Sequence, residues 1–159
     1  MAGKFGVKNR LIAVQYGGLR SMKYGLILLM FALSSCSTTT DDLERSGSTR
    51  QAVFQYSENY QEIYRRIVGP AKNCLEGHLT FSLNASVNID AQLYSELGFG
   101  EISSSLLNVG IRNYNWKAKV ERNGDGTKLT VYAGNTVRNQ HLIDIVKNWA
   151  DNNPSCPFS

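Results

Sequence analysis

The sequence predicts an α+β domain, a two-layer sandwich in which two helices cover one face of an antiparallel sheet of about three to four strands. Three observations predict it. Apolar and aromatic residues recur at helical spacing near both ends of residues 53–159. Between those stretches, apolar and polar residues alternate strictly. Turn-forming glycines and asparagines separate the alternating runs. A helix with one apolar stripe and a strand with one apolar face each need a covering layer, and stacking both helices on one sheet face supplies it.

The first helix is expected over residues 56–68, where Tyr56, Tyr60, Ile63, Tyr64 and Ile67 form one stripe. Gly69-Pro70 is expected to interrupt it, leaving a short turn over 71–75. Residues 79–89 read as the clearest strand. Leu79, Phe81, Leu83, Ala85, Val87 and Ile89 point to the core, and Thr80, Ser82, Asn84, Ser86 and Asn88 to water. Gly98-Phe99-Gly100 marks a bend, with a further strand over 101–107. Residues 115–134 read as a β-hairpin: Trp116, Ala118 and Val120 alternate with Lys117, Lys119 and Glu121, and after the turn at 122–126 Leu129, Val131 and Ala133 do the same. The last helix covers 137–150, with Leu142, Ile145, Val146 and Trp149 inward and Thr136 as its N-cap.

Residues 1–35 read as a leader rather than as part of the fold. Lys4, Lys8, Arg10, Arg20 and Lys23 precede an apolar run over 26–33, and no acid occurs before Asp41. The run is too short to span a bilayer, which takes roughly 20 residues, and suits a signal-peptide core of about 7–15. Met22-Lys23 would itself open a compact signal of the usual form. The run ends in Leu33-Ser34-Ser35-Cys36, which resembles the lipobox of bacterial lipoproteins. That resemblance implies diacylglyceryl and palmitoyl chains on Cys36 and cleavage just before it. The alternatives are an ordinary secretory signal that ends at a cysteine, and an N-terminal anchor that is never cut. Ser37 in place of Asp resembles the outer-membrane sorting signal of such proteins, which implies a lipid-anchored position in the bacterial envelope, on the periplasmic face of the outer membrane.

Five of the 17 basic residues and none of the 13 acids lie in the leader, so residues 36–159 carry 12 bases against 13 acids. The basic balance belongs to the leader, and the remaining Lys and Arg are scattered, so nucleic acid is not an expected partner. Residues 37–52 are polar, with almost nothing to bury, and are read as a flexible tether behind the lipidated cysteine. The domain proper is placed at 53–159.

With Cys36 assigned to lipid, Cys74 and Cys156 remain as an even pair in an exported domain, and a disulfide is expected. The alternative is two free thiols. No metal or cofactor is expected, because the cysteines are far apart and His78 and His141 stand isolated from any ligand spacing. Ser103-Ser104-Ser105 lacks the Gly-x-Ser-x-Gly frame of a nucleophile elbow. The glycines around 98–100 lack phosphate-loop spacing, and the Asn123–Asp125 loop lacks the distal carboxylate of a calcium loop. No catalytic residue is assigned.

The chain also resembles a group of small proteobacterial lipoproteins. The likeness is carried by the lipobox, the Tyr64-Arg65-Arg66 helix leading to Cys74, the strand from Gly126 to Tyr132, and Trp149 followed by Cys156. Asp151-Asn152-Asn153 stands where those proteins have a glycine. The resemblance implies a periplasm-facing domain with an internal disulfide, and no activity. The function expected is therefore non-enzymatic: a membrane-anchored lipoprotein that docks on an envelope protein as an accessory. The main alternative is binding of a small ligand or lipid in a pocket lined by Tyr60, Tyr64, Phe81 and Trp116. A hydrolase would need His78 or His141 beside a carboxylate and a nucleophile in a cleft.

Overall fold

The computed structural model describes residues 39–78 and 84–156. The lipobox residues Leu33 to Cys36 lie outside these, as do Leu79, Thr80, Phe81, Ser82 and Leu83. The elements run α1 (Thr40–Arg45), β1 (Arg50–Tyr56), α2 (Tyr60–Leu75), β2 (Gly77–His78), β3 (Ala85–Tyr94), β4 (Phe99–Asn108), β5 (Ile111–Asn123), β6 (Gly126–Ala133) and α3 (Asn139–Ala150). Their sheet has the order β1-β6-β5-β4-β3-β2, every described pair antiparallel. The α+β class is as expected. The sheet is larger than expected, with five full strands and a sixth of two residues.

Helices α2 and α3 share one sheet face. Tyr60, Ile63, Tyr64, Ile67 and Ala71 of α2 meet Ile102, Ala118, Val120, Leu129 and Val131 of the sheet in a single core. From α3, Ile143, Ile145, Val146 and Trp149 join it, and Trp149 meets Trp116 edge-on at 6.5 Å between centroids. The approach of α2 is close enough to need a glycine: a Cβ on Gly100 would stand 2.6 Å from Tyr64 Cδ2.

Helix α2 begins later than expected and runs through Pro70. Tyr56 belongs to β1 and pairs with Thr127. Asn59 caps the helix, its Oδ1 accepting from Gln61 N at 2.8 Å. A proline inside a helix costs about 3 kcal/mol. Here Ile67 and Ala71, on either side of it, are fully buried, and tertiary packing outweighs the local penalty.

Strand β3 is displaced from the expected 79–89. Ala85 and Ile89 are buried as the alternation requires, and pairing continues to Tyr94 opposite Phe99. Helix α3 starts two residues late because Thr136 is used differently. Its Oγ1 accepts from Arg138 N at 2.9 Å, while Asn139 Oδ1 accepts from Thr136 N at 3.2 Å, which folds residues 136–138 into a turn.

The largest difference lies at residues 39–52, the described part of the stretch expected as a tether, 37–52. Thr40–Arg45 is a helix, capped by Thr39 Oγ1 accepting from Asp42 N at 3.0 Å. Arg50 and Gln51 pair with Ala133 and Tyr132 at the sheet edge. Leu43 is fully buried, and Thr49 Oγ1 donates to Leu43 O at 2.6 Å. One leucine and one ion pair to a buried lysine hold this polar segment down, too little to lift its mean hydropathy out of the polar range.

Candidate functional site

The faces of the sheet alternate along each strand, so the residues between the core positions form a second surface. Across β3, β4 and β5 this surface carries Asp90, Gln92, Glu101, Ser103, Arg112, Tyr114 and Lys117, and α1 lies over part of it. Lys117 was expected to face water. It is 4% exposed, with its Nζ 2.6 Å from Glu44 of α1 and 3.0 Å from Glu101 of β4. Burial works against its charge, but the two carboxylates outweigh burial and raise the ammonium above its ordinary range. Arg112 Nη1 pairs with Asp90 Oδ2 at 3.1 Å, and a hydrogen bond to Tyr114 followed by the Asp90 charge holds its guanidinium up.

These groups enclose a hollow of about 290 Å³ with Thr40 at its rim. Its cations are already matched by Asp90, Glu44 and Glu101, so it offers no unpaired cation to an anionic substrate. Its buried lysine, Lys117, joins α1 to the sheet.

A second, apolar cleft of about 380 Å³ opens where the end of α2 and the start of α3 meet the sheet. Leu75, Val87, Trp116, Val137 and Leu142 line it, with Cys74 of the disulfide at one side. Cys74 and Cys156 are bonded, with Cα atoms 5.3 Å apart, and Trp149 Nε1 donates to Ser155 O at 3.1 Å beside them. His141 stands at the cleft rim, and no carboxylate is among the described residues lining it. His78 falls in β2, and its side chain lies outside what is described. Among the described residues, no three His, Cys, Asp or Glu side chains gather as a metal site.

The aromatic pocket expected from Tyr60, Tyr64, Phe81 and Trp116 is not assembled by the described three. Tyr60 and Tyr64 are packed in the core against the sheet, and burial raises the Tyr64 hydroxyl pKa. Trp116 alone reaches the wall of the apolar cleft.

Sequence reasoning missed the exposed apolar hairpin tips. The β3–β4 connection presents Leu93, Tyr94 and Leu97, the last 72% exposed. It is held firmly: Tyr60 Oη donates to Ser95 O at 3.1 Å, Arg122 N donates to Gly98 O at 2.8 Å, and Tyr94 lies 4.7 Å from the Phe99 ring. The Gly98-Phe99-Gly100 bend signalled the turn, but periodicity could not tell which apolar residues would stay outside. At the opposite end of β4, Val109 and Ile111 flank the β4–β5 turn and are 76% and 63% exposed.

No protein-family model matches the chain, and no curated protein matches it. Among solved structures, the chain is similar to the crystal structure of DynU16, a protein of the dynemicin biosynthetic locus, with a TM-score of 0.40 and 14% identity over 65% of this chain. The match spans 46% of the DynU16 chain, and a likeness this slight carries no conclusion about fold or activity.

Proposed function

We propose that this protein is a non-enzymatic lipoprotein of the bacterial envelope, anchored through lipid on Cys36, that docks on a protein partner through the β3–β4 tip. The observation that carries the reading is the rigid, exposed cluster of Leu93, Tyr94 and Leu97. Aromatic and aliphatic anchors already fixed in the free protein lose little conformational entropy on binding. Glu96 within the tip disfavours insertion into an anionic bilayer and suits a protein surface with a basic rim. The lipid anchor rests on the leader and the Leu33–Cys36 motif.

A photo-crosslinking amino acid at position 97 in living cells tests the docking. One near-stoichiometric envelope partner is expected, absent when the probe stands at Asn148 on α3 and lost when Leu93→Asp is combined with the probe at 97. Equal capture from positions 97 and 148 would end this reading. Cys36→Ser tests the anchor separately, and unchanged membrane association with an unchanged mature mass would defeat it.

The apolar cleft beside Trp116 supports a second reading, a small apolar ligand bound between α2 and α3. An environment-sensitive apolar dye that binds the purified protein and is excluded by Leu142→Asp would favour it, and no dye binding would remove it.

A further inference from the structure

We propose that the β4–β5 turn is a second membrane contact, with Val109 and Ile111 seated in the interface of the anionic phospholipid bilayer that carries the Cys36 lipid. The location rests on the lipid-anchor reading above. The contact itself is argued from the turn.

The turn has the wrong residues for folding. Asn108 pairs with Ile111, leaving Val109 and Gly110 as a two-residue connection. Their φ angles are +47° and +80°. Positive φ at both central positions is the type I′ geometry, which Asn-Gly fills readily. Glycine suits the second position. Valine at the first is a β-branched residue in the left-handed region, where its side chain crowds its own backbone. Packing does not compensate, because most of Val109 and of the neighbouring Ile111 is in solvent. A residue that suits neither the backbone nor the solvent points to a contact beyond the described residues.

The surroundings identify that contact as a bilayer. No acid occurs over residues 102–120, so the tip presents no carboxylate to repel anionic headgroups. Arg112 and Tyr114 follow directly behind it on β5, an amphipathic cation and an aromatic ring of the kind that sit at headgroup level. The carboxylate nearest Arg112, Asp90, lies back on β3 and pairs with it. The β3–β4 tip, which carries Glu96, differs in this respect.

Chain length brings the tip to the membrane. Two residues separate Cys36 from Thr39, the cap of α1, and the three steps between them reach about 11 Å at most. Thr40 sits over Asp90 and Ser103 on the polar face. From Ser103 to Val109 is six residues of strand and turn, about 20 Å. A lipid on Cys36 therefore keeps the tip, like the other end of β4, within a few tens of ångströms of the bilayer, where two apolar side chains suffice for a contact too weak to form unassisted.

The test places the environment-sensitive fluorophore NBD on Val109→Cys, Ile111→Cys and, as control, Val137→Cys, an exposed apolar residue away from the turn. Each full-length protein is reconstituted into phosphatidylethanolamine–phosphatidylglycerol vesicles with brominated acyl chains. A blue shift and loss of emission at 109 and 111, but not at 137, is expected. Equal behaviour at 109 and 137 overturns the proposal. Intact mass reports whether Cys36 carries lipid, so failure of the anchor is seen separately. In unlipidated protein, bromine quenching at 109 on mixing with excess vesicles still supports the contact, and its absence still overturns it. Val109→Asn is the companion variant: it improves the turn, so weaker vesicle association in that protein reflects loss of contact rather than of fold.

Discussion

Replacing Lys117 by methionine tests whether α1 belongs to the folded domain. The ammonium is 4% exposed and bridges Glu44 of α1 to Glu101 of β4. Methionine retains most of the apolar stem and removes only the charge. Breaking a fully buried ion pair costs about 3–5 kcal/mol, because the abandoned charge stays desolvated. Here Glu44 and Glu101 keep 31% and 32% of their side chains in water and are partly rehydrated when the lysine goes. The expected loss is therefore about 2–3 kcal/mol. In urea unfolding this lowers the midpoint by about 1 M or more at an ordinary slope. Hydrogen exchange locates the damage. The Leu43 and Ser46 amides, bonded to Thr39 O and Asp42 O, exchange faster, while the Ile63 amide in α2 keeps its protection. Glu44→Gln has a smaller effect, since the amide oxygen still accepts from the ammonium. An unchanged midpoint together with unchanged protection of α1 would show that the bridge does not hold the helix.

Three further outcomes follow from the same structure. Reducing the Cys74–Cys156 bond, which spans 82 residues, costs about 4 kcal/mol by chain entropy, and a loss below about 1 kcal/mol in urea unfolding with and without reductant would contradict that account. Val109→Asn raises stability by about 1 kcal/mol, because asparagine accepts the left-handed backbone that valine resists; a lowered melting temperature would contradict it. The pH profile falls at both extremes. Arg66 holds Glu58 below the usual carboxylate range; at Glu121 burial pushes upward, but the bonds and charges of Lys119 and Lys128 together outweigh it and lower that group too. Stability from these two is present above the unfolded glutamate value of about 4.3 and is lost as pH falls through their lower folded values. Lys117 is raised, so its contribution is present below about pH 10.4 and is lost as pH climbs through its higher folded value. Urea midpoints measured across pH check both limbs, and Glu121→Gln flattens the acid one.

The elements that showed in the sequence are those with long, unbroken periods. The stripe from Tyr60 to Ile67, the alternation from Trp116 to Ala133 and the last helix all place their apolar residues in the core. The serines at 103–105 read as a polar run, yet all three are buried. They sit where α2 and α3 cover one sheet face and α1 approaches the other, so the period-two rule of one wet face does not apply. Lys117 is hidden for the same reason. Periodicity assigns side chains to faces, but it does not say that a second layer of only six residues covers the other face. The exposed tips were illegible for a different reason. An apolar residue in a polar stretch looks the same in sequence whether it folds back, as Leu43 does, or stays in water, as Leu97 and Val109 do.

The fixed position of α1 also narrows how the proposed anchor would work. A tether of sixteen free residues would let a domain roam tens of ångströms from the bilayer and meet partners in any orientation. With α1 stitched to the sheet by Leu43 and Lys117, two residues remain between Cys36 and the first cap. Lipidation of Cys36 would then limit how far either end of β4 can move from the membrane. The acid-free tip at Val109 suits the headgroups, while the tip at Leu97, at the other end of the strand, carries Glu96 and suits a protein. On this reading Lys117→Met has a consequence beyond stability. By freeing α1 it lengthens the leash, so vesicle contact at Val109 weakens while crosslinking at Leu97 loses its preference for one partner. If both persist unchanged in a variant whose α1 has demonstrably detached, orientation at the membrane is set by something other than this helix.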